Sequence, residues 1–302
     1  MSSWVLYSLL GTAIYVIVVF IDKYVLSELI KDYRGMAMYS AIVGLVAGTF
    51  LWIITGFPIL ELKDGFLVIL TGILSIFSAA IYFYVVQREH GSKVIFLFQL
   101  IPVFVLILAI IFLKEILTFQ KFLGFILILI PSLLISSSEE GKLKLKLNID
   151  TNTVLLLISD FLIAVSAVLF KFVVDAGSFS KVVAYESWGW AIGGVVLFTF
   201  IPSVRKAFIS TVRNLKKTAL VLIFGNEIIY LTSKLLLFLA ISLGPVYLVN
   251  VITGTQVLFG AIYGVILTMI APNIFKEDVS KSGLFKKLVL GAVTLVGLAL
   301  IY

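Results

Sequence analysis

The chain has 302 residues, of which 62% are apolar and only 13% are charged. Soluble globular chains average about 45–50% apolar and about 25% charged residues, and a mean hydropathy of +1.20 is too high for a water-soluble fold of this size. The composition excludes an ordinary soluble enzyme and a disordered chain. Because there are no cysteines, it also excludes a secreted disulfide scaffold. It indicates an all-α polytopic membrane protein.

The formal net charge of +7 lies mostly in the connections between apolar runs. In a soluble protein such a charge would suggest a nucleic-acid partner. Here membrane topology and contact with lipid headgroups explain it better. We therefore expect no nucleic-acid partner.

Apolar runs of roughly 20 residues, the length needed to cross a bilayer, recur along the chain. The first follows only three residues and lacks a basic n-region, so it is predicted to be a retained span and not a cleaved signal peptide. The runs are continuous, which argues against a closed β-barrel. We predict ten transmembrane helices, at residues 4–21, 36–54, 66–86, 94–113, 119–136, 153–174, 182–201, 218–239, 246–270 and 284–302.

The two halves of the chain resemble each other in sequence. Lys23 aligns with Lys171 and Gly72 with Gly225, in the same order along both halves. Because five is an odd number of spans, the second copy starts on the opposite side of the membrane and has the opposite orientation. Many secondary transporters have this plan, with a central solute site. We predict two inverted five-helix repeats around a central cavity, with a charged linker between them: residues 1–136, 137–152 and 153–302.

Lys and Arg residues are distributed unevenly among the connections. The connection between spans two and three carries only Lys63. Its counterpart between spans seven and eight is rich in basic residues: Arg205, Lys206, Arg213, Lys216 and Lys217. The positive-inside rule requires such asymmetry of inverted copies. Summed over all connections, the same rule places both termini outside the cell.

Two segments share one arrangement of small residues, proline and glutamate. They are "GSKVIFLFQLIPVFVLILAIIFLKEILTFQKFLGFILILIPSLLI" at 91–135 and "LGPVYLVNVITGTQVLFGAIYGVILT" at 243–268. A small-residue turn leads into a span that contains a proline, a glutamate follows, and a glycine lies early in the next span. This pattern resembles the EamA family of the drug/metabolite transporter superfamily. Lys114 stands where the family typically has glycine, and Thr255 stands in the second copy where Pro102 stands in the first.

The resemblance implies export or exchange of small metabolites, often amino acids, by alternating access. It implies a multi-pass protein of the cell membrane whose partners are a small-molecule solute and the lipid bilayer. We expect no cofactor, and a monomer or a homodimer. Family members usually have both termini in the cytoplasm, whereas the basic residues place them outside, so the orientation stays open.

Span eight contains the strongest candidates for a solute site. Glu227 lies near its centre, where an uncompensated charge costs about 2.5–3.5 kcal/mol. Tyr230 and Lys234 follow on the same helix face, and the rise of about 10.5 Å from Glu227 to Lys234 is too long for a direct ion pair. We predict a stripe that binds a zwitterionic or charged solute, with Glu227 also able to carry a proton. The competing interpretation is structural pairing with other helices.

Spans four and nine supply neutral polar candidates. Asn250 and Thr253 share a face of span nine, and Gln99 lies at the corresponding stretch of span four. Pro102 and Gly254 suit a gating bend or a close helix approach. Hydrogen bonding between helices is at least as common for such residues.

The remaining ionisable residues of the spans are more ambiguous. Asp160, about two turns inside span six, is a candidate for the cavity, but it could also snorkel or bond a neighbouring serine. Glu186 is predicted to be interfacial. His90 is expected to be a solvated turn residue and not a metal ligand, and Glu115 and Glu277 to be helix-end anchors.

Three classes of function are compatible with these residues. The first is a secondary transporter for a small polar metabolite, with proton coupling through Glu227 as one option. A lipid-headgroup flippase is the alternative, since relatives in the superfamily include lipid carriers. An intramembrane enzyme is less favoured, because Asp160 with Glu227 is the only carboxylate pair that we can propose and we expect no metal site.

Overall fold

The computed structural model describes residues 2–30, 32–86, 88, 94, 97–136, 138–139, 142–143, 150–175, 178–270 and 281–301. His90 and Glu277, for which roles are predicted from the sequence, lie outside this part of the chain. Within it the first half forms these α-helices: α1 Ser3–Tyr24, α2 Met36–Ile54, α3 Leu62–Val86, α4 Ile101–Leu108 and α5 Phe119–Ser136. The second half forms α6 Thr151–Val174, α7 Phe179–Phe200, α8 Pro202–Asn214, α9 Lys217–Leu243, α10 Val246–Thr253, α11 Gln256–Ile270 and α12 Lys281–Ile301.

Short irregular pieces connect some of these helices. Single π-helical turns continue α1 and α4, at Val25–Leu29 and Ala109–Leu113, and a 3₁₀ turn at Tyr33–Gly35 precedes α2. Strands β1 (Ser138–Glu139) and β2 (Lys142–Leu143) pair antiparallel within the linker between the halves.

Seven helical segments of the described chain are long and apolar enough to cross a membrane: Ser3–Asp22, Tyr33–Ile54, Leu62–Val85, Thr151–Val174, Phe179–Phe200, Lys217–Leu243 and Val246–Leu267. Three shorter apolar helices, Ile101–Leu113, Phe119–Leu134 and Leu288–Ile301, fall at predicted spans four, five and ten. The predicted class, an all-helical multi-pass membrane protein, is therefore confirmed. The count of ten spans stays a prediction.

Helix α8 is not predicted from the sequence, where its residues read as a basic connection. It begins at Pro202, which has no backbone N–H to satisfy in a first helical turn. Val204 and Ala207 are buried, while Lys206 and Arg213 are exposed. The helix is therefore amphipathic, and it packs against the 3₁₀ turn that precedes α2.

The main helix contacts join one half of the chain to the other. Helix α1 packs on α9, α3 on α6 and on α7, α2 on α7, and α5 on α12. Glycines permit the closest of these approaches. A Cβ atom on Gly72 of α3 would lie 2.1 Å from the carbonyl oxygen of Glu186, and one on Gly189 of α7 would lie 2.2 Å from that of Ile69. The backbones of α3 and α7 therefore touch at this crossing.

The predicted spans four and nine are each interrupted. Gln99 and Leu100 form a turn before α4, and Pro102 lies in the first turn of that helix, where its missing N–H costs no hydrogen bond. Gly254 and Thr255 form the turn that separates α10 from α11. The bends expected near Pro102 and Gly254 are thus present, whereas a gating role for them stays a prediction.

A contact at the end of the Ala109–Leu113 turn ties the two halves together. Lys114 has φ 55°, in the left-handed region that favours glycine. The next residue, Glu115, accepts a hydrogen bond at 3.0 Å from the backbone N–H of Val246, the first residue of α10. Burial raises the pKa of the Glu115 carboxyl. The contact agrees with the expected anchoring role of Glu115.

Candidate solute-binding cavity

A cavity of about 270 Å³ lies between helices of the two halves. It is smaller than the roughly 300–1,000 Å³ of most sites for drug-sized ligands, so it suits a small solute. Helices α1, α2, α3 and α4 of the first half and α6, α7, α9, α10 and α11 of the second half contribute lining residues. The polar and aromatic residues that line it include Thr12, Tyr15, Asp22, Ser40, Ser75, Ser78, Tyr82, Gln99, Ser166, Trp190, Asn226, Glu227, Tyr230, Ser233, Lys234, Asn250, Thr253 and Gln256.

Two carboxylates of the cavity belong to neighbouring helices. Glu227 of α9 accepts a hydrogen bond at 2.7 Å from the hydroxyl of Ser40. Asp22 of α1 accepts one at 2.8 Å from the amide of Asn226, the residue that precedes Glu227. Because Asn226 joins the two, both carboxylates lie at a similar depth in the bundle. Neither forms an ion pair within the described part of the chain.

Asp22 is absent from the site predicted from the sequence, because the first span is predicted to end at residue 21. In the structure α1 continues to Tyr24 and the π-helical turn to Leu29, which carries Asp22 into the bundle. The only available signal is the absence of a helix breaker after residue 21. An acidic residue that lies within one helical turn of the predicted end of an apolar span should therefore be treated as part of that span.

Lys234 of α9 lines the cavity but is already paired. Its Nζ lies 2.6 Å from Oε2 of Glu186, and the two side chains are 8% and 0% exposed. Glu186 also accepts a hydrogen bond at 2.8 Å from the indole N–H of Trp190. The Lys234 Nζ lies 3.9 Å from the centroid of a Trp190 ring, a cation–π contact. Lys234 therefore both lines the cavity and forms the structural pair with another helix that was the competing interpretation.

The prediction that Glu186 is interfacial is wrong. Glu186 is fully buried, about two turns inside α7. Burial of a carboxylate is tolerated when a cation and hydrogen-bond donors compensate its charge, and Lys234 and Trp190 do so here. Sequence spacing could not show this, because the lysine comes from another helix.

Aromatic rings form a continuous part of the cavity wall. Tyr230 lies between Tyr15, at 6.1 Å between ring centroids, and Trp190, at 5.5 Å. On α3, Tyr82 contacts Phe98 at 5.1 Å. The cavity therefore combines carboxylates with tyrosine rings.

The two helix interruptions meet at the cavity. A Cβ atom on Gly254 would lie 2.9 Å from the side-chain oxygen of Gln99 and 3.4 Å from the hydroxyl of Ser132. Gln99 is 1% exposed, and neither polar atom of its amide has a hydrogen-bond partner among the described residues. Interrupted helices at a solute site are typical of secondary transporters.

The family model for the EamA-like transporter family matches residues 2–137. Residues 2–137 belong to the EamA-like transporter family. This family is part of the drug/metabolite transporter superfamily, as the sequence resemblance predicted. The match covers the first half of the chain, which contains Asp22, Ser40 and Gln99.

Two further comparisons relate the chain to other proteins. No curated protein matches it in sequence. Its fold is similar to that of a solved structure described as "Crystal structure of protein", with a TM-score of 0.71 and 12% identity, over 99% of this chain and 98% of that one. At this identity the likeness shows the fold alone. It extends the similarity in fold over both halves.

Most of the predicted site residues line this cavity. They are Gln99, Pro102, Glu227, Tyr230, Lys234, Asn250, Thr253 and Gly254. Asp160 is not among the lining residues. It is fully buried on α6, and neither of its carboxylate oxygens has a hydrogen-bond partner in the described chain. Asp160 and Glu227 therefore do not share this cavity. The roles of all these residues in binding stay predictions.

Proposed function

We propose that this protein is a secondary transporter that exports or exchanges a small polar, amino-acid-like solute across the cell membrane by alternating access. One observation carries the proposal. Helices of both halves enclose a cavity of small-molecule size, and Glu227, a carboxylate in the middle of a membrane-crossing helix, lines it. An ionisable residue placed there at a cost in free energy is a functional residue by default.

The pairing of helices supports two inverted repeats, over residues 1–136 and 153–302. In a ten-span plan α1 and α6 are the first spans of the two copies, and α3 and α9 are the third. Helix α1 packs on α9 and α3 packs on α6, so each first span contacts the third span of the other copy. This exchange is what a two-fold relation between the copies produces. Alternating access then follows if one copy rocks against the other around the cavity.

Glu227 is the candidate for proton coupling. It accepts a hydrogen bond from Ser40 and has no lysine or arginine partner among the described ion pairs. A carboxylate of this kind can exchange its proton when the cavity opens to water on either side. Coupling through Glu227 requires that Glu227→Gln abolish flux driven by a proton gradient.

Metabolite profiling outside expressing cells tests the transport function. Cells with the wild-type protein, Glu227→Gln, Glu61→Gln and empty vector are compared at matched membrane levels. Glu61→Gln makes the same chemical change at an exposed carboxylate before α3. We expect one or more metabolites to accumulate outside with the wild type and Glu61→Gln only. Identical profiles for the wild type and empty vector, with the protein correctly inserted, would contradict export.

A further inference from the structure

We propose that the cavity selects a small organic cation, whose ammonium groups bind at Asp22 and Glu227. This inference rests on the proposed transport function and specifies the charge of the transported solute. It departs from the amino-acid-like part of that proposal, because it assigns the cavity to amines that carry no free carboxylate.

The charges that line the cavity do not balance. Among the described residues, and apart from the tyrosines, the ionisable lining consists of two carboxylates, Asp22 and Glu227, and one amine, Lys234. The charge of Lys234 is already neutralised by the buried Glu186 at 2.6 Å. Two carboxylates without a cationic partner in the described chain therefore remain. An anionic solute would add like charge beside them, whereas a cation would compensate their charge.

Unpaired hydrogen-bond groups of the cavity also favour a donor. Asn226 is 5% exposed and uses its NH₂ group on Asp22, which leaves its side-chain oxygen without a partner among the described residues. The amide of Gln99 is buried and unpaired at both its oxygen and its NH₂ group, so it can serve a donor or an acceptor and does not discriminate between them. An ammonium group has three donors and no acceptor. It therefore complements the Asn226 oxygen and the two carboxylates, all of which accept hydrogen bonds.

The aromatic wall suits a cation as well. Tyr15 and Tyr230 pack against each other beside the carboxylates, and Tyr82 lines the same cavity. Tyrosine faces attract ammonium groups through the negative charge of the ring face. The same chemistry already operates within the protein, where the Lys234 ammonium lies over Trp190.

A zwitterion fits this arrangement less well. Its carboxylate would need a cation, and Lys234 is the lysine or arginine that lines the described cavity. That ammonium is held by Glu186 and covered by Trp190. Binding a second carboxylate would require breaking a buried ion pair, which is costly.

Three solutes with the same four-carbon skeleton test the charge preference. They are 1,4-diaminobutane, 4-aminobutanoate and succinate, which are a dication, a zwitterion and a dianion. Purified full-length protein in detergent is heated with increasing concentrations of each, and the midpoint of thermal unfolding is followed. We expect only 1,4-diaminobutane to raise the midpoint, in a saturable manner, because a ligand that binds the folded state stabilises it by mass action.

Variants locate the binding to the two carboxylates. Asp22→Asn and Glu227→Gln should each weaken the apparent affinity for 1,4-diaminobutane by about tenfold or more, the usual effect of losing a charge-assisted hydrogen bond. The double variant should not respond. Glu61→Gln should respond as the wild type does, and Glu227→Asp should retain part of the affinity because it keeps the charge. Elution of each variant as a single species in gel filtration shows that it is folded.

Three outcomes would overturn the inference: no response to 1,4-diaminobutane, an equal or larger response to 4-aminobutanoate or succinate, or an undiminished response in the double variant. Flux measured in proteoliposomes separates this inference from the proposed function. Flux of 4-aminobutanoate that depends on Glu227, without flux of 1,4-diaminobutane, would support the transport function and overturn the preference for a cation. Saturable binding of 1,4-diaminobutane without flux of it would support the cation site and count against transport of this cation.

Discussion

Lys234 and Glu186 form an ion pair inside the helix bundle, and each compensates the burial of the other. Their separation of 2.6 Å and the hydrogen bond from Trp190 to Glu186 satisfy both charges. Such a pair adds little net stability, because removing two charges from water offsets their attraction. Removing one partner is different, since it leaves an uncompensated charge in the bundle.

We therefore expect Glu186→Gln to lower the free energy of unfolding by about 3–5 kcal/mol. Combining it with Lys234→Met removes the stranded charge and should restore most of the loss. The midpoints of thermal unfolding of the wild type, both single variants and the double variant form a double-mutant cycle that measures the coupling. Equal losses in Glu186→Gln and in the double variant would show that the pair does not fix this stability.

Individual cavity residues can be predicted from the sequence better than their partners can. Glu227, Tyr230 and Lys234 stand out because a polar stripe in an apolar span is costly, and that cost is recognisable without a tertiary structure. The pairing of Lys234 with Glu186 joins α9 to α7 and cannot be read from spacing along one helix. Asp160 marks the limit of such reasoning, because its place in an apolar span is unusual but does not show which way its side chain points.

Glycine positions decide how closely the helices approach one another. Gly72 and Gly225 align in the two halves of the sequence, yet their surroundings differ. A Cβ atom on Gly72 would meet three backbone atoms of α7 within 2.7 Å, whereas nothing lies within 4 Å of one on Gly225. A backbone neighbour cannot rotate away as a flexible side chain can.

The same substitution at the two positions should therefore have opposite effects. Gly72→Ala should separate α3 from α7 and lower the free energy of unfolding by about 1–3 kcal/mol, the usual cost of overpacking. Gly225→Ala should be neutral or stabilising by up to about 1 kcal/mol, because alanine favours a helix. Thermal unfolding of the two variants side by side checks this. A Gly72→Ala protein as stable as the wild type would mean that the helix contact is looser than the structure indicates.

Elements that depend on local pattern are predictable from the sequence, and those that depend on context are not. Long apolar runs indicate the crossing helices, because a segment in lipid must pair its own backbone N–H and C=O groups, and an α-helix does so. Helix α8 is not predicted, because its basic and apolar residues are mixed and do not form an apolar run long enough to indicate a span. Pro102 and Gly254 suggest the breaks at residues 99–100 and 254–255, but only the structure shows that they meet.

At the scale of the whole molecule the two halves contact each other along nearly every helix, and the interrupted helices meet at the cavity. The side-chain oxygen of Gln99 lies 2.9 Å from the position of a Cβ atom on Gly254. If the halves rock to open the cavity on alternate sides, this meeting point must change during each cycle. Fastening it should therefore arrest transport without removing any group that binds solute charge.

The chain has no cysteine, so a pair introduced by Gln99→Cys and Gly254→Cys can be joined without side reactions. We expect a short, reducible thiol cross-linker to stop flux in proteoliposomes that contain the double variant, and a reductant to restore it. Each single variant should show the same flux with and without the cross-linker, whatever its flux relative to the wild type. This comparison separates the effect of the cross-link from the effects of the substitutions and of the reagent. Undiminished flux in fully cross-linked protein would show that the two interruptions stay together throughout the cycle. The moving parts would then have to be sought in the other contacts between the halves, of which α1 with α9, α2 with α7 and α3 with α6 are the most extensive.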